Sequence, residues 1–163
     1  MRRRLVDASP LIYLARLGYL ELLLLGVDEV LVPAAVLAEV RAKRDHSTEQ
    51  VEQYLDSWLK ICDGTQAVVL RFVPDLGAGE REVMAQALQE NIVSVVLDDL
   101  DARRVCRRLG LEPVGTVGLL LAAKKRSLLP SLEEEINRLR RYGFWVSEAL
   151  VRQVLKEAGE VNG

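Results

Sequence analysis

The side chains best suited to chemistry in this chain are carboxylates. Asp7 ends the run RRLVD, Glu39 sits in PAAVLAEV, Glu80 closes GAGE, and Asp98 and Asp99 follow VSVVL. They are too far apart to form one local motif, so the fold must assemble them. Oxygen donors with no His or Cys nearby suit hard cations such as Mg²⁺ or Mn²⁺. Carboxylates sharing a cleft repel one another and stay ionised at neutral pH only when cations compensate them. A cation held there lowers the pKa of a water and neutralises phosphoryl oxygens, which is the chemistry of phosphodiester hydrolysis.

Other reaction types are poorly served. His46 is the only histidine and lies in the polar segment RAKRDHSTEQ, with no Ser-His-Asp or Cys-His arrangement around it. A general base must be positioned, and nothing positions this one. Cys62 and Cys106 lack CxxC spacing and are expected to be buried thiols rather than a disulfide or a zinc site. No GxGxxG or GxxxxGK[ST] loop is present, which disfavours a nucleotide- or phosphate-binding α/β protein of those kinds.

Strands alternating with helices would position the acids. RRLV (3–6), EVLV (29–32), AVVLRFV (67–73), VSVVL (93–97) and Pro113–Val114 read as strands. Helices are expected after Ser9, from Pro33, over Val51–Leu59, over Glu80–Gln89, over Ala102–Leu109 and after Thr116, with 41–50 a loop or frayed helix end. This alternation implies an α/β sandwich with a mainly parallel sheet. Ligands of such sheets sit beyond the carboxyl ends of the strands. Asp7, Asp98 and Asp99 directly follow strands, and Glu80 follows a glycine loop.

Each acid also has a local structural reading. Ser9 and Pro10 read as an N-cap and first helical residue, leaving Asp7 without a capping duty. Glu39 alone would be an ordinary solvated helix residue. Glu80 and its competitor Glu82 could serve only the helix dipole. Asp98, Asp99 and Asp101 surround a helix start, where Asp101 is the expected cap. Ser131-Leu-Glu-Glu has capping-box spacing and opens the first of two further amphipathic helices, the second starting at Ser147.

The chain of 163 residues suggests one domain with a core of Leu, Val, Ile and Ala, since half of it is apolar and only 5% aromatic. No apolar run reaches the roughly 18–20 residues of a membrane span. Asp7 and Pro10 interrupt what would be the apolar stretch of a signal peptide after MRRR. The expected location is the cytoplasm. Net charge is −2, yet Arg103, Arg104, Arg107 and Arg108 cluster in DARRVCRRLG. They form either a solvated face or a set of phosphate contacts. No run of aromatics offers a platform for stacking unpaired bases.

DASPLIYLARLG, PAAVLAEV, GAGEREVMAQAL, VVLDDLDARRVCRRLGL and VGTVGLLLAAKK, in this order, resemble a PIN domain over about residues 4–130. Within that superfamily the chain is most similar to VapC-like proteins that begin with an Asp-x-Ser-Pro-Leu-Ile motif. The resemblance implies a three-layer α/β/α fold over residues 1–130, with 131–163 a helical extension packing on the same domain or on a partner. It implies a ribonuclease dependent on Mg²⁺ or Mn²⁺, possible membership of a toxin–antitoxin pair, a small antitoxin protein or a homodimer as partner, and no membrane association. By position, Asp7, Glu39, Glu80 and Asp99 match the four acidic residues of the motif. Asp98 shares or replaces Asp99, and Ser9 and Thr116 are small hydroxyls beside them. A non-catalytic PIN-fold module that binds nucleic acid or protein is the competing reading.

Overall fold

The computed structural model describes residues 1–161; residues 162 and 163 of the expected extension lie outside them. Five parallel strands form one sheet in the order β3-β2-β1-β4-β5. They are β1 (Arg3–Val6), β2 (Glu29–Pro33), β3 (Leu59–Cys62), β4 (Ser94–Val96) and β5 (Glu112–Val114). The central strands are buried on both faces, which explains why VLV and VV read as continuous apolar runs. Leu5, Val6, Val30, Val32, Val95 and Val96 are fully buried. Helices cover both faces, giving the three-layer α/β/α architecture.

Helices α1 (Ala8–Leu17), α2 (Ala34–Lys43), α3 (His46–Tyr54), α4 (Ala67–Leu70), α5 (Ala78–Glu90), α6 (Leu100–Arg108) and α7 (Thr116–Lys125) follow in chain order. A 3₁₀ turn over Leu20–Leu24 links α1 to β2. Helix α1 ends on Gly18 in the left-handed region at φ 81°, a conformation glycine adopts without cost.

Three segments differ from the expectations, and one is the helix expected over Val51–Leu59, which ends at Tyr54 with Leu59 opening β3. AVVLRFV was expected as the third strand, but Ala67–Leu70 is a single helical turn with no buried residue. The third strand is Leu59–Cys62, which pairs with β2 in the register Val30↔Leu59 to Pro33↔Cys62. A β-branched composition is only a preference for a pleated, half-buried surface. LKIC gains a ladder partner and an ion pair from Lys60 to Glu29 at 2.8 Å, and these outweigh composition. The polar segment 41–50 is also more ordered than expected. Arg44 turns the chain at φ 51°, and Asp45 caps α3 by accepting from the Ser47 N–H at 2.9 Å.

Helices α8 (Leu132–Arg141) and α9 (Glu148–Glu157) complete the chain. Both start at serine caps, with Ser131 accepting from Glu134 N–H and Ser147 from Leu150 N–H, each at 3.1 Å. Helix α8 packs on α1 and α7 and buries Leu132, Ile136 and Leu139. Its apolar stripe therefore belongs to the domain's own core. Ile136→Ala should cost about 2–5 kcal/mol. Urea unfolding followed separately at Trp58 and Trp145 should give coincident transitions that shift together in the variant. Separate transitions would mean that the C-terminal helices fold as an independent unit.

Candidate active site

The chain leaves β1 toward β2 on one side, and later returns to β4 on the other. The carboxyl ends of β1 and β4 thus flank the topological switch point, where an open α/β sheet forms a crevice. Asp7 lies at the end of β1, and its N–H extends the ladder to Val96 O at 2.9 Å. Asp98 lies two residues beyond β4.

Asp7, not Ser9, is the N-cap of α1, with Ser9 and Pro10 inside the first turn. Proline is tolerated there because the first N–H groups of a helix have no partner in the helix. The Asp7 carboxylate makes no conventional capping bond. It leans instead on the N–H of Ala8. Asp7 is only 6% exposed. Burial, with repulsion from Glu80, Glu39 and Asp98, raises its pKa to about 7, against the Ala8 N–H that favours the charged form.

Glycine makes this crowding possible. A Cβ on Gly79 would lie 2.6 Å from Glu39 Oε1 and 3.0 Å from Asp7 Oδ1. Two carboxylates from different elements therefore approach the backbone where α5 begins. Glu39, from α2, accepts the Gly79 N–H, while burial and then the Glu80 charge raise its pKa. Glu80 folds back over Gly77, whose φ of 142° is open to glycine alone and whose absent Cβ would strike the Glu80 carboxylate. The GAGE segment is thus a backbone shaped around acids. Glu82 turns elsewhere and accepts from the Thr65 hydroxyl at 2.6 Å.

The adjacent aspartates after β4 divide their duties. Asp99 is the N-cap of α6, with Oδ1 accepting from Ala102 N–H at 2.8 Å. Asp98 faces the crevice instead. Its Oδ2 accepts from the Ser9 hydroxyl at 2.6 Å and the Thr116 hydroxyl at 2.8 Å, and its Oδ1 accepts from Thr116 N–H at 2.7 Å. Of the two aspartates that the sequence left open, Asp98 meets Ser9 and Thr116, while Asp99 Oδ1 is engaged by its own helix. The cap expected at Asp101 is corrected, since Asp99 holds that place. Asp101 pairs with Arg104 at 2.9 Å, and Gly115, not Thr116, occupies the N-cap of α7. Ser9 and Thr116 orient Asp98 rather than capping helices.

Only one arginine of DARRVCRRLG reaches the crevice. Arg103 packs against Gly115 beside Asp98, and its buried Nε has no hydrogen-bond partner among the described residues. Arg104 is taken by Asp101, and Arg107 and Arg108 are exposed at the far end of α6. His46 is exposed and pairs with Glu49 on α3. Burial raises the thiols of Cys62 to about 12 and Cys106 to about 11, so neither is a nucleophile at neutral pH.

The donor set fits a hard divalent cation. All four side chains offer oxygen, and no ion pair among the described residues neutralises Asp7, Glu39, Glu80 or Asp98. Among the described residues no three acidic, His or Cys side chains close around a single point. Mg²⁺ keeps several of its waters and commonly takes only one or two carboxylates directly, so an open acidic cleft is compatible with it.

The family model DUF3368, described as a PIN domain, matches residues 3–160 and so runs through the C-terminal helices. The fold is similar to that in the structure of the PIN domain endonuclease Utp24, with a TM-score of 0.53 and 10% identity over 69% of this chain and 84% of that one. No curated protein matches the sequence.

The Asp7 environment sets a dependence of stability on pH. Its folded-state pKa lies above the unfolded value, so the folded state binds the proton more tightly. Stability from this group is fully present below pH 3.8 and is lost as pH rises to about 7. The loss is on the order of 4 kcal/mol at most. In chelator, Asp7→Asn should raise the melting midpoint by roughly 5–10 °C at pH 8, and the gain should shrink toward pH 5. Thermal melts across this range check it; an equal shift at every pH would mean that ionisation of Asp7 is not the cause.

Proposed function

Since the chain belongs to the DUF3368 family of PIN domains, we propose that it is a divalent-cation-dependent nuclease that hydrolyses phosphodiester bonds in RNA. The observation that carries this reading is the gathering of Asp7, Glu39, Glu80 and Asp98 at the switch point, with Asp7 buried and uncompensated. The relative with the similar fold is named as an endonuclease.

Asp7, Glu39, Glu80 and Asp98 would hold Mg²⁺ or Mn²⁺. When bound, the cation supplies an activated water and neutralises charge on the phosphoryl group. The chain's own contribution is position and charge. Ser9 and Thr116 fix the rotamer of Asp98 from two helices. Gly79 leaves room for Asp7 and Glu39 and donates its N–H to Glu39. Arg103 stands beside Asp98, where a phosphate oxygen would find a planar donor. No histidine is needed, since a cation held there would lower the pKa of its water enough for solvent to take the proton.

The open spacing of the acids favours one other reading, a PIN-fold module that binds RNA without cutting it. A regulating antitoxin or second copy would have apolar residues available at Ile61 on the edge strand and at Val68 and Phe72 beyond it, all exposed.

Incubation of single-stranded RNA with and without Mn²⁺ separates the two functional readings. Cleavage should require the cation and fall by at least about a hundredfold in Asp7→Asn and Asp98→Asn. Ser9→Ala, which removes only a support of Asp98, should lose about 10–100-fold. Asp99→Asn should stay within a few-fold of wild type, because Asn is also a good cap. Cleavage that ignores the cation, or that Asp99 controls while Asp98 does not, contradicts the proposal. RNA that is bound but never cut would establish the module.

A further inference from the structure

Asp98 also borders a cavity of about 150 Å³ whose other walls include Leu100, Arg103, Gly115, Phe144 and Trp145. Its far wall comes from the turn between α8 and α9. That turn is firmly tied: Phe144 N–H donates to Leu139 O at 3.0 Å, and Arg140 holds Val146 O at 3.1 Å and Glu148 at 2.8 Å. Phe144 is braced edge-on by Tyr13 of α1, with ring centroids 5.0 Å apart at 80°. Trp145 is different. It is 77% exposed, and no aromatic pair among the described residues includes it. Leu100, across the cavity, is 52% exposed.

A rigidly presented tryptophan left in water exposes apolar area that a ligand could cover. The cavity is smaller than the roughly 300–1,000 Å³ of sites that enclose whole drug-sized ligands, so it suits one flat ring. Its polar end holds a carboxylate and a guanidinium whose Nε lacks a partner. An apolar protein side chain entering here would cover the Arg103 guanidinium without giving its charge a partner, which is costly. A nucleotide fits both ends, with a base against the indole and a phosphate toward Arg103 and the acidic group.

We propose that this cavity is a nucleobase subsite. Trp145 stacks on an unpaired base next to the scissile phosphodiester, Phe144 and Leu100 wall the base, and Arg103 contacts its phosphate. The phosphate side of this inference rests on the nuclease reading. Stacking demands a free base face, so the subsite selects single strands, whatever their sequence.

The test uses the full chain carrying Trp58→Phe, so that Trp145 alone fluoresces, in chelator so that nothing is cut. It is titrated with a single-stranded RNA, with an abasic strand of the same length and backbone, and with the RNA as a duplex. The single strand should quench Trp145, while the abasic strand and the duplex should not. Trp145→Ala, measured by anisotropy of labelled strands, should weaken the single strand about 5- to 150-fold and leave the abasic strand unchanged. Trp145→Phe should recover most of the affinity. Equal quenching by the abasic strand, or equal effects of Trp145→Ala on both strands, overturns the subsite. So does a dimer, detected by light scattering, that dissociates in Trp145→Ala while no strand quenches Trp145. If Mn²⁺-dependent cleavage is present without base-dependent quenching, the subsite fails and the nuclease stands. Base-dependent quenching without cleavage gives the opposite result.

Discussion

Asp7 and Glu39 meet over the backbone of Gly79, and most of the molecule's functional geometry follows from that contact. Asp7 comes from the end of the central strand, Glu39 from the second turn of α2, and Gly79 from the first turn of α5. The three can meet only because α5 packs on α2 and on the strands β1, β2 and β4. A Cβ on Gly79 would occupy the space that the two carboxylates use. Burial and like charge then raise the Asp7 pKa to about 7. The fold thus tolerates an unfavourable electrostatic arrangement at one point, supported by an extensive apolar core around it. A site that binds a cation needs this imbalance, and a protein optimised for stability alone would lack it.

The other half of the cleft is built differently. Asp98 is surrounded by donors rather than by acids: the hydroxyls of Ser9 and Thr116 and the Thr116 N–H. Ser9 sits on the helix that Asp7 begins, so one short segment carries a carboxylate of the site and a positioning group for another. Asp98 also borders the cavity of Arg103 and Trp145, which has an aromatic end. The C-terminal helices contribute that aromatic end while packing on the core through Leu132, Ile136 and Leu139.

Much of this was legible in the sequence, for identifiable reasons. Strand ends followed by acids mark the crevice of a parallel sheet, and that placed Asp7 and the Asp98–Asp99 pair. GAGE announced a glycine-shaped backbone beside an acid. What failed was resolution at single residues. Ser9 and Pro10 have the composition of a cap and first position, yet α1 starts two residues earlier, at Ala8. The strand before Asp98 ends early enough that Asp99 caps the helix and Asp98 turns inward, and composition cannot distinguish two adjacent aspartates. LKIC was hidden because an edge strand carries little apolar signal and gains its identity from β2. The aromatic wall was invisible because Trp145 lies 47 residues from Asp98 in sequence, and only the packing of α8 brings it near.

A cation site in the acidic cleft places its electrostatic cost on Asp7. Calorimetric titration of chelator-stripped protein with Mn²⁺, repeated in buffers of different ionisation enthalpy, counts the protons released. With Asp7 near pKa 7, saturable binding should release about half a proton at pH 7 and almost none at pH 9. Asp7→Asn should bind far more weakly and release none. Absence of saturable binding in the wild type, or binding that releases no proton at pH 7, would contradict the claim.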